Sequence, residues 1–431
     1  MHCVKKLSES LYWVGGSDRR LALFENVFPI PRGVSYNAYL MLDEKTVLMD
    51  TVDRSVGDVF EENVEHVLAG RPLDYVVVNH MEPDHCATLA ELLRRHPETV
   101  VVGNAKTFQM IGQFFPGLDL TDRSVTVAEG DTLSTGAHTL HFVMMPMVHW
   151  PEAMAAFDST DGVLFSADAF GAFGALSGHL FADEVNFEKD WLDDTRRYYA
   201  NIVGKYGQQV QTVLKKAAGL DIRMICPLHG LLWRGESMSR ILDLYEKWST
   251  FTPEGPAVLI AYASVYGHTE NAANILACRL ADAGVKDIAV YDVSAAHPSY
   301  LVSEAFRCSH LVFPSTTYNG GIFCNMETLL LDLKAHGLRD RTVALVQNGS
   351  WGPVAAKQMG DILGAMKDIR LLEGTVTLRS ALKPGQEEEL NALVQAIVED
   401  MKARFPRAER WLKKEEKPSA PFRRRRLFAV S

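Results

Sequence analysis

Several marks of common protein classes are missing from this sequence. Its six cysteines (Cys3, Cys86, Cys226, Cys278, Cys308, Cys324) form no Cys-x-x-Cys pair. That excludes a zinc ribbon, a fused rubredoxin-type iron site and a disulfide scaffold. No apolar run approaches the ~20 residues that cross a bilayer. Met1-His2-Cys3-Val4-Lys5-Lys6 leads into polar sequence without a signal-peptide core. Positive charge is scarce: 44 Lys and Arg stand against 54 Asp and Glu, a net charge of −10. This is the reverse of a nucleic-acid-binding surface. No glycine loop ends in Gly-Lys-Ser/Thr, so a Walker-type phosphate site is also excluded. Repeats and low-complexity segments are lacking too. These absences predict a protein of a reducing cytoplasm, with neither a membrane nor a nucleic-acid partner.

What remains is ample core material, 47% hydrophobic over 431 residues, enough for two domains. The sharpest punctuation is Thr252-Pro253-Glu254-Gly255-Pro256, just before a new apolar strand. We expect domains at residues 1–250 and 256–401, and a basic C-terminal tail at 402–431. The tail carries Arg423-Arg424-Arg425-Arg426 and reads as a solvated terminus. In the first domain, short strands are expected at 11–14, 37–42, 46–50, 75–78, 99–102, 140–145, 163–166 and 224–226, with helices near 59–68 and 87–96. That mixture predicts two packed sheets covered by helices. In the second, strands at 258–261, 288–291, 310–313 and 343–346 alternate with helical patterns, the signature of a doubly wound parallel sheet.

Chemistry-bearing residues gather where strands end. His80-Met81-Glu82-Pro83-Asp84-His85 follows the strand at 75–78, and places four potential ligands within six residues. His149, Asp168 and His229 each follow another strand. Four imidazoles and three carboxylates suffice for two metals with one carboxylate bridging. Imidazole with carboxylate suits zinc, iron or manganese, and Cys86 and Cys226 do not fit the ligand pattern.

The second domain carries three loops after strands. The first, Ser264-Val265-Tyr266-Gly267-His268-Thr269, opens a helix, whose backbone N–H groups and hydroxyls form a phosphate cradle. Ser315-Thr316-Thr317-Tyr318-Asn319-Gly320 and Asn348-Gly349-Ser350-Trp351-Gly352 follow later strands. Three such loops in register at the carboxyl ends of a parallel sheet point to FMN.

The His-x-Glu-x-Asp-His segment resembles the metal motif of the metallo-β-lactamase fold, with Glu82 where zinc hydrolases carry a histidine. That exchange, the flavodoxin-like phosphate loop, and 30–40 (Ile-Pro-Arg-Gly-Val-Ser-Tyr-Asn-Ala-Tyr-Leu) resemble flavodiiron proteins over nearly the whole chain. The resemblance implies an α+β metallo-β-lactamase-like αββα sandwich followed by an α/β flavodoxin-like sheet. It implies two irons and FMN. His80, Glu82 and His149 would hold one iron, Asp84, His85 and His229 the other, and Asp168 would bridge. Many members carry a histidine where Glu25 stands. The implied activity is an oxidoreductase that reduces O2 to water, NO to N2O, or both. It would draw on an external one-electron donor such as rubredoxin or another reductase, and no rubredoxin or flavin-reductase module follows the flavodoxin-like part. A head-to-tail homodimer, or a dimer of such dimers, would set Trp351 over the partner's metal pocket. Two rivals stand beside this reading. One is a dinuclear zinc hydrolase with a flavodoxin-like domain, against which Glu82 and the flavin loops count. The other is an electron-transfer flavoprotein with a partner-binding front domain, against which the seven-ligand set counts.

Overall fold

The computed structural model describes residues 2–406; the tail expected at 402–431 lies, from 407 on, outside the described residues. Two sheets build the front of the chain. The first begins as an antiparallel set, Leu11–Trp13, Tyr39–Leu42 and Thr46–Met49, and continues in parallel through Tyr75–Val77, Val100–Gly103 and Ser124–Thr126. The second runs antiparallel through Thr132–Ser134, Thr139–Met144, Met154–Asp158 and Val163–Phe165, then adds Met224–Cys226 in parallel and Trp233–Arg234. Their apolar residues share one core, with Leu40, Leu48 and Val76 from the first sheet and Leu140, Phe142 and Ala156 from the second. Helix Gly57–Leu68 adds Phe60, Val64 and Leu68 to that core, and Gly235–Ser249 adds Ile241, Leu244 and Trp248.

One expected helix divides in two. In place of a loop followed by a helix at 87–96, the chain forms a helical turn Pro83–Cys86 and a helix Leu89–Arg95. Pro83 sets that start, because its fixed φ and missing N–H suit the first position of a helix. Asp84 and His85 therefore ride on a helical turn rather than a loop.

The back of the chain is a parallel sheet of Gly255–Tyr262, Ile288–Asp292, Cys308–Tyr318, Arg341–Asn348 and Ile369–Leu371. Counted along the chain, these lie in the order 2-1-3-4-5, the flavodoxin order. Val376–Leu378 extends the last position alongside Arg341–Asn348. Alternate side chains face opposite ways. Leu259 and Ala261 join the front core, whereas Val258 and Ile260 join a second core under helices His268–Asp282 and Glu387–Arg404. The third strand is longer than the expected 310–313. It carries Ser315 to Tyr318 and turns through Asn319 and Gly320, both at positive φ, into the short strand Gly321–Ile322.

At the amino-terminal edge of this sheet, His310 is buried between Ser309 Oγ (2.8 Å from Nδ1) and Asp400 Oδ2 (3.1 Å from Nε2). Burial, opposed by Asp400 and reinforced by Arg404 and Arg370, pulls its pKa down to about 4. Between that value and the unfolded value near 6.5, only the unfolded chain takes up the proton. Stability is therefore lost as pH falls through this window, at about 1.4 kcal/mol per unit. We expect the stability advantage of wild type over His310→Gln to shrink by ~2 kcal/mol between pH 7 and pH 5. Urea unfolding of both proteins at the two pH values checks it, and a constant difference refutes it.

Candidate metal centre

The seven expected ligands converge from four segments. His80, Glu82, His149 and Asp168 form one group and Asp84, His85 and His229 another, each with ligand atoms within 4.8 Å of one another. Asp168 faces both groups. Its Oδ2 lies 3.2 Å from His80 Nε2 and 3.2 Å from His149 Nε2, and its Oδ1 lies 3.2 Å from His85 Nε2 and 3.6 Å from His229 Nε2. Glu82 Oε2 is 3.0 Å from His149 Nε2, and Asp84 Oδ2 is 3.2 Å from His229 Nε2.

The strand ends are stitched together by backbone. Met154 N donates to Asn79 O, Leu228 N to Ala167 O and Asn37 N to Leu228 O. Asp50, the residue after strand Thr46–Met49, accepts from the N–H groups of Asn79 and His80 and from Asn79 Nδ2. Asn37 Nδ2 and Tyr39 Oη both donate to the Pro227 carbonyl, which seats the His229 loop.

Ring orientation follows from what lies behind each imidazole. His229 Nδ1 stands 2.8 Å from the Ser35 carbonyl, which can only accept, so Nδ1 carries the proton and Nε2 is free to bind. His80 Nδ1 stands 2.8 Å from Glu152 Oε1, which also accepts from Met81 N, so His80 Nε2 is free likewise. These are the supports that metal-bound histidines use. The freed nitrogens face carboxylate oxygens, and His85 Nε2 and His229 Nε2 face each other at 3.0 Å. Lone pairs so opposed need a cation between them. Both Asp84 oxygens and both Asp168 oxygens are buried without a hydrogen-bond donor. The donor set fits two hard or borderline cations.

Electrostatics point the same way. Burial disfavours charge on His80, yet Asp168, Glu152 and Glu82 outweigh it and hold the pKa well above the usual imidazole range. Burial likewise opposes charge on His149, whose contacts with Asp168 and Glu82 push it up to about 9. Burial would raise the Asp168 carboxyl, but His80, His85 and His149 hold it well below the ordinary range. Carboxylates that draw a proton onto imidazole draw a metal cation equally, with protons released on binding.

Above the cluster lies a cavity of about 910 Å³, walled by Phe24, Glu25, Tyr36, Glu82, His149 and Trp150 among others. Three contributors escape sequence reading: Glu152 and Asp50, which orient ligands, and Tyr198. The Tyr198 ring centre is 5.4 Å from that of His229, and its buried hydroxyl has no partner among the described residues. Glu152 has one signal in the sequence, its place three residues after His149. Tyr198 has none.

The three flavin segments meet at the carboxyl edge of the back sheet. Ala263 bridges to Ser315, and Thr316 pairs with Asn348. Asn348 Nδ2 donates to Thr269 Oγ1, and Thr317 Oγ1 accepts from the N–H groups of Val354 and Ala355. Gly267, at φ +85°, turns the chain into the helix that begins at His268, and its N–H donates to Ser264 Oγ. Gly349 must be glycine, since a Cβ would stand 2.7 Å from Pro353 Cα. Tyr266 is 90% and Trp351 94% exposed, so both rings are largely uncovered by the described residues. A hydroxyl-rich helix start beside free aromatic faces fits a phosphate and a flat ring.

Comparison with known proteins agrees with this geometry. The model of the ODP family beta lactamase matches residues 34–230. An anaerobic nitric oxide reductase flavorubredoxin of Escherichia coli O1:K1 / APEC is 28% identical over 388 residues, 88% of this chain and 78% of its own length. Rubredoxin oxygen:oxidoreductase from Desulfovibrio gigas superposes with a TM-score of 0.86 at 27% identity, covering 94% of this chain and all of that one. The flavodiiron protein of Giardia intestinalis shares the fold, with a TM-score of 0.86, 23% identity and coverage of 94% and 98%. With the carboxylate Glu82 among its candidate ligands, this chain is similar in sequence and fold, over nearly its whole length, to these proteins.

Proposed function

We propose that this chain reduces O2 to water, NO to N2O, or both. The single observation that carries this is Asp168, whose two oxygens face two separate His and carboxylate groups. His80, Glu82 and His149 would hold one iron, Asp84, His85 and His229 the other, and Asp168 would serve both. Two bound irons supply gas binding and reduction, and FMN at the back sheet supplies electrons. The chain's own share is placement. Glu152 and the Ser35 carbonyl fix the histidine tautomers, and Asp50 fixes the backbone beneath His80. Phe24, Tyr36 and Trp150 wall the pocket against water.

Residues 1–250 form the diiron domain and 256–401 the FMN domain. FMN contacts come from Ser264 to Thr269, Ser315 to Gly320 and Asn348 to Gly352. An external one-electron donor, such as rubredoxin or another reductase, recharges FMN. The working unit is a head-to-tail homodimer in the cytoplasm. Among the described residues, no helix is long and apolar enough to cross a membrane. Glu82 favours iron over a zinc hydrolase, because a hard anionic donor stabilises the ferric charge of a redox cycle and zinc has none.

The test is content and rate together. Protein loaded anaerobically should hold about two irons and about one FMN per chain. Dithionite-reduced enzyme should consume at least one of the two gases. Stoichiometric zinc that iron does not replace, or inert reduced enzyme, refutes the reading.

A further inference from the structure

The seam between the front sandwich and the back sheet passes through one irregular helix. Leu192–Tyr198 is α-helical, and Tyr199–Val203 continues as a π turn. Such a turn takes backbone carbonyls out of the regular ladder. Asn201 compensates: its Nδ2 donates to the Arg197 carbonyl at 2.7 Å and to the Ser299 carbonyl at 3.0 Å. Ser299 belongs to helix Pro298–Arg307 of the back half.

Arg197 joins three elements at this point. Its side chain is 2% exposed, and the carboxylate of Asp194 stands 3.9 Å away, beyond a hydrogen bond. Nη1 donates to Ser299 Oγ at 3.1 Å, and Nη2 donates to the Pro29 carbonyl at 2.6 Å. The guanidinium lies 4.2 Å from the Tyr300 ring centre and 4.6 Å from that of Phe173. Pro29 ends the ribbon Leu23–Phe24 and Phe28–Pro29, and Phe173 lies five residues beyond Asp168.

That ribbon forms one wall of the metal pocket. It carries Phe24, Glu25 and Asn26 along the cavity, and the Phe24 ring centre is 5.4 Å from that of His229. Its strands pair at only two positions, flanked by two backbone bonds at the turn and the exit, and a short two-stranded ribbon is marginal alone. Its turn places Glu25 and Asn26 at positive φ, which costs further stability. Its position must come from outside anchors. Phe24 and Phe28 against Phe173, ring centres 5.5 and 6.1 Å apart, supply apolar anchors. Arg197 on Pro29 supplies a polar one, and only a planar fork serves a carbonyl, a hydroxyl and two ring faces together.

We propose that Arg197 is a positioning residue that couples docking of the back half to closure of the 23–29 ribbon over the metal pocket. The coupling is a property of this chain's packing; only its consequence for gas reduction rests on the function proposed above.

Hydrogen–deuterium exchange of the full metal- and FMN-loaded protein tests it. The reporters are the amides of Val27 and Ile30, which donate within the ribbon to Phe24 O and Ala22 O. Ser299→Ala removes one acceptor of Arg197. It should speed exchange at these amides about fivefold, the weight of one hydrogen bond. Arg197→Lys keeps the charge and should fail to rescue the ribbon. Glu254→Gln breaks the Arg196 ion pair at the same seam and should leave ribbon exchange unchanged. Ser299→Ala should also raise KM for the gas with kcat near wild type. Unchanged ribbon exchange in Ser299→Ala, or equal loosening by Glu254→Gln, overturns the coupling. Wild type that consumes neither gas overturns the proposed function instead, and the exchange result still decides the coupling.

Discussion

Changing Asp168 to asparagine will lower gas reduction by more than about a hundredfold and leave FMN at wild-type content. The replacement keeps shape and removes charge. Among the described residues, Asp168 is the one carboxylate within 3.6 Å of imidazole nitrogens in both groups. An amide there offers one oxygen where two are needed and turns N–H donors toward a cation. Two cations some 3.5–4 Å apart then repel with less compensation, a matter of several kcal/mol per pair of charges even at an effective dielectric near 20. Loss of a supporting residue behind a metal ligand already costs roughly 10–100-fold, so loss of the bridge should exceed that. FMN should be spared, because no residue of the three flavin segments lines the metal cavity. Iron analysis, the flavin spectrum and gas consumption measure the three quantities. Near-normal turnover refutes the bridge, and parallel loss of FMN refutes the separation of the two sites.

Particular residues show why some of this was legible in the sequence. His80, Glu82, Asp84 and His85 stand in six positions after a strand, where polar side chains have no packing reason to gather. His149, Asp168 and His229 repeat the placement, so the site announces itself through residue type alone. The supports do not. The carbonyl of Ser35 holds His229 across 194 positions of chain, and a backbone carbonyl looks the same at every residue. Asp50 resembles any acidic residue at a strand end, and only the fold brings it to Asn79 and His80.

Boundaries failed for equally physical reasons. The third back strand was expected over 310–313, just short of Pro314, which cannot donate to a ladder. It continues, since the Pro314 carbonyl accepts from Ala263 N and the chain pairs on through Thr316 with Asn348. Pro83 had the opposite effect and started a helical turn four residues earlier than the expected helix. The π turn at Tyr199–Val203 has no sequence signature at all, because it depends on Ser299 from the other half.

The remaining expectation concerns electrons moving between chains. Mixed dimers of two inactive variants will recover up to about half of wild-type activity per dimer, as a closed two-fold assembly allows. One parent carries Asp168→Asn and keeps its flavin. The other carries Ser264→Glu, which sets a carboxylate against the phosphate cradle, and keeps its irons. Within one chain the cavity over the metal ligands contains none of the flavin residues. Trp351 and Tyr266, at the flavin edge, are left 94% and 90% exposed, and large rings so open mark a surface that another surface covers. In the proposed head-to-tail dimer, the partner would bring its flavin edge to this cavity and seat Trp351 at its mouth. In the mixed dimer, one of the two sites then pairs intact irons with an intact flavin from the neighbouring chain, and that site works. Trp351→Ala in the flavin-bearing parent should lower the recovered rate, because in that dimer the ring would complete the neighbouring site. If mixed dimers form, hold both cofactors and stay inactive, electrons pass within a chain and the head-to-tail arrangement is wrong.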